Sequence, residues 1–297
     1  MQQQFTHTLL ALVHSHPIRM PQLQKILQIC PTLEQFPQIP LEQLSEIFRL
    51  PPERINLIKK TFIHHLNTSL IQMYKEQNIH IIPYISNDYP MKLLDLFDPP
   101  VIIFAKGNIK LLKQHLCIAC IGSRQATAYS VEALKLLLPP LLSEKITIVS
   151  GLARGADTFA HKLTVHYGGS TIAVLGHGLH MIYPKENESL ARVLEQEHLL
   201  ISEYPLNVGP QKYHFPMRNR IISGLSEALI VTEANIRSGT MITTEHALET
   251  GKDVFVVPGP ITSPLSNGTN KLIREGAIPV WNGYQIIEEL QRLSINN

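Results

Sequence analysis

Short apolar segments rich in β-branched residues alternate with helical patterns from about Leu116 onward. Seven of these segments are predicted strands: Leu116–Ile121, Ile146–Val149, Thr171–Leu175, Leu199–Ser202, Ala228–Val231, Val254–Val257 and Ile278–Trp281. Helical segments of about 10–15 residues separate them. Continuous apolar strands joined by helices are typical of parallel strands that are buried on both faces. The pattern therefore predicts an α/β fold: a Rossmann-like, mostly parallel open sheet with helices on both faces.

The first 75 residues differ from this pattern. They contain no glycine, and leucine and isoleucine recur at helical spacing in short patches that prolines separate. We therefore predict a small all-helical domain over residues 1–75 and an extended Rossmann-like domain over residues 76–297. At the start of the second domain, Ile79–Pro83 and Pro99–Gly107 look like two strands that frame a short helix.

The composition limits what the protein can be. With 44% hydrophobic residues, 17% charged residues and a net charge of +2, the 297-residue chain is typical of a folded soluble protein. A charge this small attracts a polyanion only where basic residues cluster in space. The N-terminus lacks the pattern of a signal peptide, and no segment reaches the ~18 apolar residues that span a bilayer. Since three cysteines do not indicate a disulfide framework, we expect a cytoplasmic protein that does not enter a membrane.

The segments that follow the predicted strands are rich in glycine and basic residues. Ligands of an open parallel sheet bind beyond the carboxyl ends of its strands, so these segments should surround one crevice. Glycine permits a close approach of the backbone, and helix N-termini offer free N–H groups to anions. The sequence therefore predicts an anion site formed by Gly122, Ser123, Arg124, Gly151, Arg154, Gly155, Lys212, Phe215, Arg218, Asn219, Arg220, Arg237, Ser238, Gly239 and Thr240.

The common nucleotide-binding motifs are absent from the sequence. The Gly176–Gly178 segment has Met181 where the third glycine of a dinucleotide motif belongs, and the Gly251–Asp253 segment lacks the Ser or Thr of a P-loop. A Gly-x-Ser-x-Gly elbow and a His-Glu-x-x-His motif are also missing. We therefore expect neither a dinucleotide oxidoreductase nor an ATPase, and no cofactor.

Two pairs of residues have the chemistry of metal ligands. Cys117 and Cys120 have redox or zinc spacing, but they lie in a predicted strand, where residues three apart point to opposite faces. His177 and His180 lack neighbours that would complete a coordination shell. We interpret the cysteines as buried structural thiols and the histidines as ordinary loop residues, and we expect no metal.

The segment around Phe215 leaves one question open. If a helix begins near Met217, Arg218 lies on the same face as the apolar residues that follow and should project from the helix start toward the crevice. Arg220 points away from that face. Phe215 is either a hydrophobic staple beneath the helix or a stacking platform for a nucleobase. The residues alone do not decide between these two roles.

An ordered series of motifs resembles the bacterial DNA-processing protein A (DprA/Smf) family. The resemblance covers about Tyr84 to Val280. Its motifs are, in order, Gly122–Arg124, Ser150–His161, Thr171–Gly178, Tyr183-Pro184, Ser202–Pro205, Phe215–Ser226, Ser238–Thr244, Val257–Gly259 and Gly268–Ala277. So many motifs in the family's order leave little room for accident.

The resemblance implies a dimeric protein that binds and protects single-stranded DNA and loads the recombinase RecA onto it during natural transformation. In that family the Rossmann domain binds DNA without known catalysis. The family's DNA contacts come from the Gly-Ser-Arg loop and from basic and aromatic residues before the Arg-Asn-Arg helix. The resemblance therefore implies contacts here from Gly122, Ser123, Arg124, Lys212 and Phe215. It also favours the stacking role of Phe215. The helical N-terminal domain resembles the sterile-alpha-motif-like (SAM-like) domain that some members carry. The expected partners are single-stranded DNA, RecA and a second copy of the chain.

An enzyme is the alternative interpretation. The Gly-Ser-Arg loop, the basic helix and the Ser-Gly-Thr loop faintly resemble nucleoside-monophosphate phosphoribohydrolases of the lysine-decarboxylase-like group. Those enzymes carry a Pro-Gly-Gly-x-Gly-Thr-x-x-Glu loop whose acid acts on the ribosyl bond. In the Arg237–Glu245 segment the Pro-Gly-Gly is missing, and Glu245 comes two residues too late. We therefore expect DNA binding without catalysis.

Overall fold

The computed structural model describes residues 2–114, 116–249 and 251–296, and it divides the chain into two compact units, Met1–Ala105 and Lys106–Asn297. The first unit begins with the helices α1 (Gln2–Ser15), α2 (Met20–Ile29), α3 (Leu41–Phe48), α4 (Pro52–Leu66) and α5 (Leu70–Glu76). The strands β1 (Ile79–Pro83) and β2 (Ile102–Gly107) follow, and β2 runs past the end of the unit. The predicted domain boundary after residue 75 falls at the end of α5, inside this unit, and it stays a prediction.

Prolines set the lengths of the helices in the first unit. Pro21 and Pro52 lie in the first turn of α2 and α4, where the missing N–H costs no helical hydrogen bond. Between these short helices, buried aromatic rings fill the core, and the centroids of Phe36 and Phe62 lie 5.0 Å apart. Short helices can therefore pack here because each contributes a few fully buried side chains.

The second unit alternates strands and helices along the chain. Its strands are β3 (Cys117–Ile121), β4 (Thr147–Ser150), β5 (Thr171–Leu175), β6 (Leu199–Ser202), β7 (Ala228–Val231), β8 (Asp253–Val256) and β9 (Ile278–Pro279). Its helices are α6 (Ala128–Ser143), α7 (Ala156–His166), α8 (Glu188–Glu197), α9 (His214–Leu225), α10 (Gly239–Glu249), α11 (Asn267–Arg274) and α12 (Gly283–Asn296). Within the described residues, no helix is long and apolar enough to cross a membrane.

The strands of the second unit are parallel and lie in the order β6-β5-β4-β3-β7-β8-β9. The chain starts in the middle at β3, adds β4, β5 and β6 on one side, and then crosses through α9 to add β7, β8 and β9 on the other. Because such crossovers are right-handed, the two halves place their helices on opposite faces. Residues of α6, α7 and α12 form one core with Ile118, Ile148 and Ile230, whereas α9 and α10 pack against each other. The predicted Rossmann-like sheet is confirmed.

Candidate nucleic-acid interface

The strand order opens a crevice at one point of the sheet's carboxyl edge. The chain leaves β3 through α6 toward β4, whereas it enters β7 on the other side of β3 through α9, so the loops after β3 and β7 diverge. Open α/β sheets bind ligands at such a switch point. A cleft of about 990 Å³ lies here, lined by residues of the segments 121–125, 212–222 and 235–243 together with Ala153, Asp157, Tyr183 and Leu265.

Most of the predicted site residues surround this cleft. Those that line it are Gly122, Ser123, Arg124, Lys212, Phe215, Arg218, Asn219, Arg237, Ser238, Gly239 and Thr240. Gly151 and Arg154 line a small adjoining indentation, which shares Arg124, Phe215 and Arg218 with the cleft. Gly155 is the N-cap of α7, and Arg220 lies on α9. The fold therefore brings together segments that are far apart in the sequence.

Backbone hydrogen bonds fix the loop that follows β3. The Ser123 N–H donates to the carbonyl of Glu233 at 2.7 Å, and the Ala156 N–H donates to the Ser123 carbonyl at 3.1 Å. The Thr240 hydroxyl donates to the Gly122 carbonyl at 3.0 Å. The loop is thus tied to three other segments, so the arginine that it carries starts from a fixed backbone.

Packing within the protein requires glycine at two of the predicted positions. A Cβ atom on Gly122 would lie 2.7 Å from both the Thr232 hydroxyl and the Ala156 Cβ. A Cβ atom on Gly151 would lie 2.1 Å from Nη1 of Arg218. The space that the missing side chains leave is therefore occupied by neighbouring side chains, and contact of these two glycines with a ligand stays a prediction.

Arg124 and Phe215 form a pair on the wall of the cleft. The guanidinium carbon of Arg124 lies 5.1 Å from the centroid of the Phe215 ring, within the range of a cation–π contact. The ring is half-buried, and its edge lies close to Gly176. Phe215 belongs to the first turn of α9, which begins at His214 rather than near Met217 as predicted. Its ring therefore faces the cleft beside a cation.

Arg218 lines the cleft as predicted, but it is buried rather than projecting from the helix start. It is 4% exposed, and its Nη1 donates to the carbonyls of Gly151 and Val174, the second at 2.5 Å. Burial lowers the pKa of Arg218 to about 10, although the nearby carboxylate of Asp157 opposes this shift. Since α9 begins at His214, Arg218 lies within the helix and follows its buried face inward. Arg218 is thus a fixed cation beneath the cleft.

Two other predicted cations are paired with acids. Arg154 donates to Glu186 at 2.6 Å in an exposed ion pair. Arg220 pairs with Glu203, and both side chains are largely buried. Arg220 does not line the cleft, and Glu203 holds its guanidinium, so its predicted contact with an anionic ligand stays a prediction that this geometry does not favour.

Three cations of the cleft remain without an acid. Arg124, Lys212 and Arg237 are exposed, and within the described part of the chain none of them makes an ion pair. They come from three different segments, and the strand order alone brings them to one cleft. Their charges are available to an anionic ligand.

The start of α10 forms the opposite side of the cleft. Ser238 precedes the helix, Gly239 begins it, and a Cβ atom on Gly239 would meet nothing within 4 Å. The amide of Asn219 donates to the Thr243 hydroxyl at 2.7 Å, which links α9 to α10. Asn219 therefore supports the cleft wall, while Gly239 leaves its helix start open.

The sequence did not reveal the roles of two residues at this site. Tyr183 was noticed only as part of a family motif, yet it lines the cleft, and its ring centroid lies 5.9 Å from that of Phe215. Glu233, two residues after the end of β7, is 2% exposed and accepts hydrogen bonds from Thr127 and Ser130 at the start of α6. An acid two residues after a buried strand is the signal that could have indicated it.

The residues that a phosphoribohydrolase or a site with metal-binding or redox cysteines would use do not lie in the cleft. Glu245, the acid that a phosphoribohydrolase would use, is an exposed residue of α10 and does not line the cleft. Cys117 and Cys120 are buried in β3, and burial raises the pKa of the Cys120 thiol. Among the described residues, no group of His, Cys, Asp or Glu is arranged to hold a metal ion.

Comparison with known proteins gives consistent matches. A family model described as DNA recombination-mediator protein A matches residues 80–291. The DNA processing protein DprA of Bacillus subtilis (strain 168) is 42% identical over 226 residues, which make up 76% of this chain and 76% of that protein.

Two solved structures extend these matches. DNA processing protein A from Streptococcus pneumoniae is similar with a TM-score of 0.81 and 36% identity, covering 96% of this chain and 97% of that chain. DNA processing protein A from Helicobacter pylori, a protein with a structurally characterised single-stranded DNA binding mode, is similar with a TM-score of 0.65 and 31% identity. That likeness covers 72% of this chain and 96% of the other.

Proposed function

The chain belongs to the DNA recombination-mediator protein A family, and from this membership we propose that it binds single-stranded DNA. We propose further that it protects incoming DNA and loads RecA onto it during natural transformation. In this proposal it acts in the cytoplasm as a homodimer, and it binds DNA without catalysing a reaction.

The observation that carries the proposal is the lining of the cleft. Arg124, Lys212 and Arg237 lack acidic partners among the described residues, and the half-buried Phe215 ring lies among them. Proteins that bind single strands without sequence preference combine cations for phosphates with aromatic rings for bases. The cleft has both elements.

Single strands fit this lining better than duplexes do. An aromatic ring can stack only on a base whose face is free, and in a duplex the neighbouring base pairs cover those faces. Three phosphate contacts to a single strand also predict a slope of about −2 when the logarithm of the binding constant is plotted against that of the salt concentration. Duplex binding would use the cations alone.

The direct test compares labelled single-stranded and duplex oligonucleotides at several salt concentrations by fluorescence anisotropy. We expect tighter binding of the single strand, and a strong loss of affinity in Arg124→Ala. Arg192→Ala is the matched control, because Arg192 is an exposed arginine of α8 outside the cleft. Equal binding of both DNA forms, or no binding at low salt, would contradict the proposal.

Phe215 tests the stacking part of the proposal. Phe215→Ala should weaken single-strand binding by about 1–3 kcal/mol, the range for losing one base–aromatic stack. Phe215→Leu keeps an apolar side chain without a π-face and should lose nearly as much. An unchanged affinity in both variants would show that Phe215 does not stack on a base and only packs against the helix.

The other parts of the proposal have separate tests. Resemblance to the family supports RecA loading, and the rate of RecA filament growth on single-stranded DNA should rise when the protein is added. Sedimentation velocity should give the mass of a dimer. Release of free base from nucleoside monophosphates would instead support the phosphoribohydrolase alternative.

A further inference from the structure

Tyr183 lies on the wall of the cleft, and the proposed contacts of the cations and of Phe215 with DNA do not involve it. It is 46% exposed and lines both the cleft and the adjoining indentation. Its hydroxyl has no hydrogen-bond partner among the described residues. A large aromatic side chain that stays half-exposed inside a cleft offers its ring to a ligand.

The distance between the two aromatic rings decides how a base can use them. The centroids of Tyr183 and Phe215 lie 5.9 Å apart, and the ring planes meet at 40°. Carbon atoms in contact lie about 3.5–4 Å apart, so a base held between two rings needs them about 7 Å apart and nearly parallel. No base fits between these rings. A base that stacks on Tyr183 must therefore be a different base from one that stacks on Phe215.

Two cations line the same indentation as the aromatic pair. Arg124 lies over the Phe215 ring, and Arg154 lines the same indentation as Tyr183. The ion pair of Arg154 with Glu186 is exposed, and exposed pairs contribute little, so a phosphate can compete for this guanidinium. Cations that can contact a phosphate thus line the same cavities as the two rings.

The backbone beside Tyr183 is held in place. The buried side chain of Asn187 donates to the Leu152 carbonyl and to the Thr158 hydroxyl, both at 2.8 Å. The Asn187 N–H donates to the Pro184 carbonyl at 3.1 Å. A fixed backbone lowers the entropy cost of stacking a base on the ring.

We propose that Tyr183 is a second nucleobase-binding residue, so that the cleft holds two successive bases, one on Phe215 and one on Tyr183. The proposal rests on the proposed binding of single-stranded DNA. The ligand is the face of a base, which every base offers, so the second site adds affinity without adding sequence preference.

A double-variant comparison tests the proposal with a short oligothymidylate. Tyr183→Ala should weaken binding about 5- to 140-fold, the range for losing one stacked base. The variant with both Tyr183→Ala and Phe215→Ala should bind more weakly than Phe215→Ala alone. Tyr183→Phe keeps the ring and should bind like the wild type. If Tyr183 only supports the Phe215 ring, the double variant will bind like Phe215→Ala, and the inference is wrong.

A cross-link provides a readout that a supporting role cannot produce. Wild-type protein irradiated with an oligonucleotide that carries 5-iodouracil should form an adduct on Tyr183, identified by mass spectrometry. Thermal melting shows whether Tyr183→Ala is folded, and if it is not, the wild-type cross-link decides alone. Absence of this adduct in a bound complex overturns the second base site. A wild type that binds no single strand contradicts the proposed function itself.

Discussion

We predict that replacing Glu233 loosens the loop that carries Arg124. The Glu233 carboxylate accepts the Thr127 N–H at 2.7 Å, the Thr127 hydroxyl at 3.0 Å and the Ser130 hydroxyl at 2.8 Å. Thr127 is the N-cap of α6, so the carboxylate also lies at the positive end of that helix. The Glu233 carbonyl accepts the Ser123 N–H at 2.7 Å. One residue thus ties both ends of the connection between β3 and α6.

The size of the effect follows from the donors that lose their acceptor. In Glu233→Ala, the Thr127 N–H loses its acceptor, and because Thr127 is exposed, water can replace the carboxylate, so this loss costs about 0.5–1.5 kcal/mol. The two hydroxyls can rotate and lose less. Loss of the negative charge at the helix start adds about 0.3–1 kcal/mol. We therefore expect the free energy of unfolding to fall by about 1–3 kcal/mol.

Glu233→Gln is the matched control because the amide keeps the shape of the side chain. Its Oε1 can accept the Thr127 N–H and the Ser130 hydroxyl, while its Nε2 can donate to the Thr127 hydroxyl oxygen. Only the charge is lost, so the expected cost is about 1 kcal/mol or less.

Two measurements check this prediction. Urea unfolding gives the loss of stability, and hydrogen exchange of residues 122–130 followed by mass spectrometry reports local opening of the loop. Exchange should be faster in Glu233→Ala and close to wild type in Glu233→Gln, and single-strand binding should weaken in parallel. Unchanged exchange in Glu233→Ala, or equal damage by both substitutions, would refute the reasoning from the three donors.

Two further predictions concern buried charge. Burial lowers the pKa of His161 from 6.5 to about 3. As the pH falls below 6.5, the unfolded chain therefore binds a proton at this histidine while the folded protein does not. Protonation favours the unfolded state, so the free energy of unfolding decreases. Other histidines with lowered pKa values, His14 among them, add to the loss of stability between pH 7.5 and pH 5. In urea unfolding, His161→Asn, which keeps a donor to Thr171, should reduce that loss by about 2 kcal/mol, and an unchanged loss would contradict this assignment. Glu203→Ala should cost about 3–5 kcal/mol of stability, because it leaves Arg220 buried without its acid. The double variant with Glu203→Leu and Arg220→Met should recover most of the lost stability, because it leaves no unpaired buried charge. If it does not, the buried charge of Arg220 is not the cause of the loss.

The strands could be predicted because the pattern that indicates a buried parallel strand lies within a few consecutive residues. A parallel strand covered on both faces must be apolar throughout, so Thr171–Leu175 and Leu199–Ser202 could be read from the sequence with the bounds that the structure has. The start of α9 was not predicted correctly. We expected Pro216 to precede the helix, but proline is tolerated in a first turn, where its nitrogen needs no hydrogen bond.

Pairing between distant side chains could not be predicted in the same way. Helical spacing correctly placed Arg220 away from the face of Arg218, but it could not show that Glu203, from the segment after β6, holds the Arg220 guanidinium. Spacing also placed Arg218 on the apolar face, yet we expected its charge to remain exposed. A cation can be buried where backbone carbonyls accept its donors, and here the carbonyls belong to Gly151, directly after β4, and to Val174 in β5.

In the proposed function, the exposed cleft cations that lack acidic partners among the described residues are the charges that attract a polyanion to a chain with a net charge of only +2. The salt dependence of binding depends on the number of phosphates that basic side chains neutralise. Arg218 is buried and Arg220 is paired with Glu203, so both contribute little to it. Arg154 is different, because its pair with Glu186 is exposed and a phosphate can replace the carboxylate. Adding Arg154 to the three free cations would change the slope from about −2 to about −3. A slope much steeper than that would require basic residues outside the cleft, and the interface would then be larger than the one described.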